Sequence, residues 1–582
     1  MHASPANAAN KRIMTVSNSP YRTTISLWPD IAAEDPSMRI VSHRLDRREA
    51  LKAAAGLIFA GPLTRLVAAD PMTGRVEGHV EGAKAGMNIL AAGGNAVDAA
   101  VAAAFVAAVV APYHCGPGGY GGSMMIATGD GKTVAGIDFN TTAPAAARPD
   151  MFARGAGGPG KDPASVYGWK AVGVPGTLAG FQHALDRFGT KKLAEVAAPA
   201  IQYARDGFPV TNLLTNSIRS NLKRLAADPG SAKLLLPGGE PPKVGSTFQN
   251  PELAAMLETL AKRGSVESFY NGDIAAKVSA AIRAGGGLVT EADLAAYKAR
   301  DVEPVSLSWH GLTSRTPPPT AGGATAIQAL AVLKALKWDE WDPAAPKWLM
   351  GQIEALRLAW DDRLRYFGDP TKVDVPLGRL LGEEHIHELA AKVETALRTN
   401  KPAPAGTDNR SADGTQHISA VDSTGMMVAL TLTHGGYYGA QVTVDGLGLT
   451  LGHGMSRFNS EPGHANSVAP GKRPLHNMSP VVVARAGRPV LALGARGGRK
   501  IPNAVFEVLA QYVGRGRTEK EAVAAPRIHT EGGMKVELEK EWPENAAAQV
   551  QAVGYTVARA TSAVVSAVWR DAASGAVGST SR

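Results

Sequence analysis

The chain has 582 residues, 45% hydrophobic and 19% charged, the balance of a globular protein long enough for an extensive core. Its net charge of +9 is unevenly placed, since the first 69 residues hold nine Lys/Arg against five Asp/Glu. The rest has no Lys/Arg run interleaved with aromatics, which argues against a nucleic-acid binder. A single cysteine, Cys115, excludes an intramolecular disulfide and any multi-cysteine metal site.

From Arg44 the sequence reads RLDRREALKAAAGLIFAGPLTRLVAAD, a pair of arginines, an apolar stretch and then a small-residue site ending at Ala69. The stretch is shorter than the roughly 20 residues of a membrane-spanning helix, and Gly56, Gly61 and Pro62 interrupt it. The segment resembles a twin-arginine export signal, so residues 1–69 are expected to be a leader plus signal and the mature protein to be periplasmic, with no stable membrane anchor. A start at Met38 would give a signal of ordinary length.

Residues 81–111 are Ala-rich and predict two buried helices broken at Gly93-Gly94 and capped by Asn95 or Asp98. The loop PYHCGPGGYGGS (112–123) follows, leading into a strand at Met124–Ala127. It holds a GxGxxG pattern at Gly116, Gly118 and Gly121, but a dinucleotide site needs the order strand, loop, helix, so no cofactor is expected. Residues 176–400 read as mostly helical. Asn400–Gly414 is a polar Pro/Gly/Asn/Ser linker, expected to be exposed and easily released after cleavage. From Thr415 the pattern changes to alternating strands, with helices near the C-terminus.

Residues 415–433, TQHISAVDSTGMMVALTLT, predict a hairpin turning at Asp422–Gly425, with Thr415 almost opposite Thr433. A threonine hydroxyl is a weak nucleophile. It gains a neutral-pH base if Thr415 becomes residue one, because its freed α-amine has a pKa of about 7.7–8.0. Gly414 leaves the preceding carbonyl open to that hydroxyl. Read alone, the hairpin would be structural.

Its surroundings change that reading. The segments GGNAVDAAVA (93–102), GPGGYGGS (116–123), VGVPGTLAG (172–180), TEADLAAY (290–297), PPPTAGG (317–323), WDDRLRYFGDP (360–370), TQHISAVDSTG (415–425), KRPLHNMSPVVV (472–483) and LGARGG (493–498) occur in that order. Together they resemble the gamma-glutamyltranspeptidase family over nearly all of residues 71–582. The resemblance implies an α+β fold, the four-layer αββα sandwich of N-terminal-nucleophile hydrolases. It implies a large subunit (70–414) and a small subunit (415–582) that form one core as a heterodimer after cleavage between Gly414 and Thr415. It also implies an acyl-enzyme on Thr415, positioned by Thr433, with Gly497 and Gly498 as the oxyanion hole. Asn95 and Asp98 match family residues but read as caps and core support.

The residues that would hold a γ-glutamyl donor depart from the family pattern. Asn140 stands where the family has an arginine for the α-carboxylate, and His476-Asn477 replace a Ser-Ser pair. Arg457 stands where an acid should meet the α-ammonium, with Gly454 in place of a polar amide. His434 and Gly435 occupy the place of an asparagine after Thr433. An acyl group with a carboxylate and no ammonium therefore suits this pocket better than glutamate does. The segment 458–474 is short where some members carry a lid, which favours water as acceptor. His434, His453 and His464 lack a carboxylate at ligand spacing, so no metal is expected. The competing readings are an ordinary γ-glutamyl hydrolase or transferase acting on glutathione, and a silent exported binding protein using the same cleft.

Overall fold

The computed structural model describes residues 74–152, 162–406 and 414–582. The expected leader and signal, and residues 407–413 of the expected linker, lie outside the described residues. In chain order the framework is β1 (Gly74–Glu77), α1 (Val80–Ala91), α2 (Ala96–Val110), β2 (Gly121–Ala127), β3 (Val134–Asp138), β4 (Arg300–Val302), β5 (Val305–Trp309), β6 (Leu312–Thr316), α3 (Gly323–Ala335), α4 (Pro346–Tyr366), α5 (Glu383–Thr399), β7 (Gly414–Asp422), β8 (Met427–Gly435), β9 (Val481–Arg485), β10 (Arg488–Arg496), α6 (Lys500–Leu509), β11 (Val564–Arg570) and β12 (Val577–Ser581). Further helices fill residues 177–296.

The strands form two antiparallel six-stranded sheets, ordered β1-β7-β8-β2-β3-β4 and β12-β11-β10-β9-β6-β5. Each sheet draws strands from both sides of Gly414, so neither half of the chain could build its own. Side-chain alternation decides the layering. On β7, Ile418 and Ala420 enter a large core under α1 and α2. Val421, on the other face, packs with Met125, Met427, Ala429, Val482, Ala492 and Val568 between the sheets. A second large core joins β9 and β10 to α3, α4, α5 and α6. The result is the αββα sandwich that the resemblance implies.

Both Ala-rich helices form where the sequence places them. α2 is buried along its whole length, and α1 crosses it closely because a Cβ on Gly82 would lie 2.6 Å from the Ala103 carbonyl oxygen. Asn95 and Asp98 make a capping box at the start of α2. Asp98 also accepts from Thr190 N, Thr190 Oγ1 and Lys191 N, which ties in a distant loop. The predicted hairpin is present, and its turn residue Asp422 accepts from the Ala96 amide at 3.0 Å, fixing the β7–β8 turn to the N-terminus of α2.

Two expectations need correction. The helices expected near the C-terminus are present at Lys500–Leu509, Glu519–Ala524 and Glu544–Ala552, but strands including β11 and β12, which the sequence reading did not place, follow them. The linker is not exposed throughout. Ala403 is buried, its carbonyl accepting from Arg357 Nη1 and its amide donating to Glu354, while the Gly406 amide donates to Asp361. Buried charge on α4 therefore holds the upstream half of this segment.

Between the sheets His417 spans a polar patch, with Nδ1 2.8 Å from Thr431 Oγ1 and Nε2 2.9 Å from Ser419 Oγ. Gly494 on β10 leaves room for the ring, since a Cβ there would lie 2.3 Å from His417 Cε1. Gly494→Ala is expected to destabilise the fold by about 1–3 kcal/mol through overpacking. Chemical denaturation of Gly494→Ala, His417→Ala and the double variant checks this, the double losing less than the sum of the singles.

Candidate active site

Thr415 is the second residue of β7, an interior strand lying between β1 and β8, and is 4% exposed. Alternation puts it on the same face as His417 and Ser419, toward the second sheet; Gln416 points the other way and donates to His114 Nδ1 at 3.0 Å. The β7–β8 register is regular up to Leu432↔Gln416 and then slips by one residue, so that Gly435 rather than His434 pairs with Gly414. That bulge aims Thr433 at the bond before Thr415. The Thr433 hydroxyl donates to the Gly414 carbonyl and accepts from the Gly435 amide at 2.7 Å. A donor on that carbonyl withdraws electrons from its carbon, the atom a neighbouring hydroxyl would attack.

Gly497 and Gly498 form the strand-to-helix turn between β10 and α6, with φ of 139° and 64°. Their carbonyls receive Lys500 N and Ile501 N, so the turn leads directly into α6. A Cβ on Gly497 would meet Ala563 Cα at 2.8 Å, so both backbone angle and space require glycine there.

The expected substrate-side residues gather on loops. Asn140, just after β3, is fully buried; its Nδ2 donates to Pro474 O at 2.6 Å and to Thr320 Oγ1 at 3.2 Å. Its Oδ1 has no hydrogen-bond partner among the described residues. His476 donates its backbone amide to Thr320 O at 3.0 Å, which makes it a neighbour of Asn140 through Thr320. Neither ring nitrogen of His476 has a partner among the described residues. Arg363 of α4, buried, donates to His476 O at 2.7 Å and approaches Asn477 Oδ1 at 3.4 Å. Arg457 ends a short 3-10 turn whose Gly454 packs on Thr141, and its guanidinium carbon lies 6.0 Å from the Tyr120 ring centre. Gly435 abuts the His453 ring.

Beneath this wall lies an ion network. Asp138 pairs with Arg473 and Arg300, each at 2.9 Å, and Arg300 reaches Asp369 at 3.3 Å. Burial pushes the Asp138 carboxyl up, but Arg473 and Arg300 outweigh it and hold the group below the usual carboxylate range. The segment 458–474 packs into the body, with Phe458 and Val468 clustered against Ala143, Ala147, Phe152 and Met455. His464 is occupied structurally, by Leu364 O and Asn466 N. Gly116, Gly118 and Gly121 are packed by protein atoms, and the loop leads into β2.

Sequence reading missed Thr320, which joins Asn140 to His476, and the Gln416–His114 contact beside Gly414. Each links residues 150 or more positions apart, and no local pattern announces such pairs.

The sequence model of the family described as Gamma-glutamyltranspeptidase matches residues 82–582. The chain belongs to that family. It is 37% identical over 490 residues to an acylase ACY 1 proenzyme of Pseudomonas sp. (strain V22), covering 83% of this chain and 87% of the relative. It is 36% identical over 463 residues to a glutathione hydrolase proenzyme of Escherichia coli (strain K12), covering 76% and 78%. Among solved structures it is similar to a cephalosporin acylase from Bacillus halodurans, with a TM-score of 0.78, 26% identity and coverage of 88% and 94%. The Helicobacter pylori gamma-glutamyltranspeptidase superposes with a TM-score of 0.51 at 30% identity, over 54% of this chain and 90% of that one. The protein is thus an amidohydrolase or acyltransferase of the N-terminal-nucleophile class.

Four histidines near the site are buried and uncharged. Burial pushes His417, His434 and His476 down to about 3, and burial with Arg496 nearby does the same to His114. The unfolded chain, with histidines near about 6.5, binds more protons below that pH, so their contribution is full above it and shrinks as pH falls toward 3. The stability gap between wild type and His434→Gln should therefore narrow by about 1.7 kcal/mol in all from pH 6.5 to 5. Urea unfolding across that range measures it; a constant gap would contradict the neutral, buried assignment.

Proposed function

We propose that Thr415 is the nucleophile, first in self-cleavage and then in turnover, and the observation that carries this is the Thr433 hydroxyl bound to the Gly414 carbonyl. In the uncut chain Thr415 Oγ attacks that carbonyl. The Oγ–C bond forms, the C–N bond to Thr415 breaks, and the hydroxyl proton passes to the departing nitrogen. Water then opens the ester, leaving fragments 70–414 and 415–582 as one heterodimer; both relatives named above are called proenzymes, which agrees with this scheme. In turnover the Thr415 α-amine takes the Oγ proton as Oγ attacks an amide substrate, then gives it to the leaving amine. The amides of Gly497 and Gly498, at the N-terminal end of α6, stabilise the oxyanion. Water resolves the acyl-enzyme, so hydrolysis dominates over transfer.

The preferred donor is a small acyl amide that carries a carboxylate and no α-ammonium. Asn140 offers no charge for an α-carboxylate and presents an acceptor oxygen, His476 is neutral, and a cation, Arg457, occupies the place of the family acid. An ammonium beside Arg457 would be repelled, and such a mismatch costs on the order of several kcal/mol in a desolvated site. Relatives named acylase and cephalosporin acylase stand beside glutathione hydrolases, so names in this family are not confined to γ-glutamyl donors. A leader of 1–69 with a twin-arginine signal would place the enzyme in the periplasm; among the described residues no helix is long and apolar enough to cross a membrane.

Wild type is expected to run as two bands on a denaturing gel, the smaller beginning at Thr415, and Thr415→Ala as one. The processed enzyme should cleave a glutaryl anilide at least about tenfold faster than a γ-glutamyl anilide, the ratio given by about 1.4 kcal/mol. A preference for the γ-glutamyl compound would mark an ordinary γ-glutamyl hydrolase or transferase and overturn the donor assignment.

A further inference from the structure

Gly414 is packed by groups that catalysis at Thr415 does not otherwise use. A Cβ on Gly414 would lie 3.3 Å from His114 Cδ2 and 3.3 Å from Tyr113 O. The Tyr113 and His114 rings stack edge-on at 4.5 Å, and both meet Tyr437, at 6.1 Å and 5.6 Å. Tyr437 is 37% exposed, in a molecule that exposes few large apolar side chains among its described residues. Tyr113 and His114 are nearly buried. The cluster thus runs from the scissile residue out to solvent. Gln416 holds the His114 ring by donating to Nδ1, which leaves the imidazole proton on Nε2. Arg496, the last residue of β10, lies near enough to help hold His114 uncharged.

This inference rests on the reading of Thr415 as the nucleophile. When the Gly414–Thr415 bond is cut, the atom bonded to the Thr415 nitrogen is no longer fixed there. The place it vacates is beside the new α-amine. In turnover that same α-amine must hand its proton to the leaving nitrogen, which must then lie within hydrogen-bond reach of it, about 2.6–3.2 Å. The leaving amine therefore belongs where Gly414 was, against Tyr113, His114 and Tyr437. Asn140, His476 and Arg457 lie on other loops, tied together through Thr320 and Thr141, and serve the acyl side.

We infer that Tyr113, His114 and Tyr437 form the leaving-group subsite, shaped for a flat aromatic or heteroaromatic amine, and that Tyr437 determines this preference. Ring faces and edges of this cluster pack a planar group without needing a charge on it. A small alkyl amine would leave Tyr437 unused.

The test uses processed, full-length enzyme and whichever acyl group it cleaves faster, glutaryl or γ-glutamyl, so the donor assignment does not enter. kcat/KM is measured for the anilide and the N-methylamide of that acyl group with wild type, Tyr437→Ala and Tyr437→Phe. Tyr437→Ala is expected to lower the anilide-to-methylamide ratio about five- to tenfold, mainly through KM of the anilide, the size of one lost aromatic contact. Tyr437→Phe should keep the wild-type ratio. An unchanged ratio in Tyr437→Ala, or an equal fall for both amides, would overturn the subsite. An uncut wild-type chain would instead overturn the nucleophile reading on which it stands, and the two failures are told apart on the gel.

Discussion

The arrangement at the centre of this protein depends on one irregularity in strand pairing. β7 and β8 run in regular register until Leu432 and Gln416, and the one-residue slip beyond them brings Gly435 opposite Gly414. Without it Thr433 would sit across from Thr415 as an ordinary strand neighbour. With it the Thr433 hydroxyl reaches the Gly414 carbonyl and takes the Gly435 amide in return. The slip is held from the other end as well. Asp422 pins the hairpin turn to α2, itself locked in the core by alanines with no room to shift. Because both sheets take strands from either side of Gly414, this alignment exists only once the whole chain has folded, so the proposed cleavage by Thr415 would have to follow folding.

Electrostatics near the nucleophile follow from burial more than from pairing. His114, His417, His434 and His476 stay neutral because the protein surrounds them, and His417 achieves this inside the inter-sheet layer with only hydroxyls as partners. Formal charge lies mainly in the wall, with Arg496 close to His114 on the other side. Asp138, Arg300, Arg473 and Asp369 balance one another below Asn140, so the uncharged Asn140 leaves no acid of that network unpaired. The charge assigned to the proposed donor site is that of Arg457, on a separate turn.

Much of the fold was legible because its signals are local. α1 and α2 follow from small-residue periodicity with Asn95 and Asp98 as caps, and the hairpin from alternation around Asp422–Gly425. Motifs single out Thr415, Thr433 and the two glycines as candidates, and the structure puts Thr433 on Gly414 and the glycines at a strand-to-helix turn. Long-range contacts were not legible. Nothing near residue 403 signals that Arg357 and Glu354 grip its backbone, and nothing near residue 416 points to His114. The C-terminal strands were missed because Val564–Arg570 is a short, mostly apolar run that alternation cannot separate from a buried helix.

The same division explains how such a site can change its substrate without losing its chemistry. The proposed nucleophile Thr415, Thr433 and the glycine turn are carried by strands β7, β8 and β10, where a shift of one residue would turn every side chain to the wrong layer. The acyl wall is carried by loops at residues 139–142, 454–457 and 472–477, braced by Thr320, Arg363 and the Asp138 network. Asn140 keeps its place through two hydrogen bonds to neighbouring loops, so its side chain now braces the wall and leaves only Oδ1 for a ligand. Substitution on these loops alters what is bound while the sheets keep the reacting atoms in register. The proposed leaving side is separate again, because Tyr113, His114 and Tyr437 come from the loop before β2 and the turn after β8. Acyl preference and amine preference can therefore be altered independently around one Thr415.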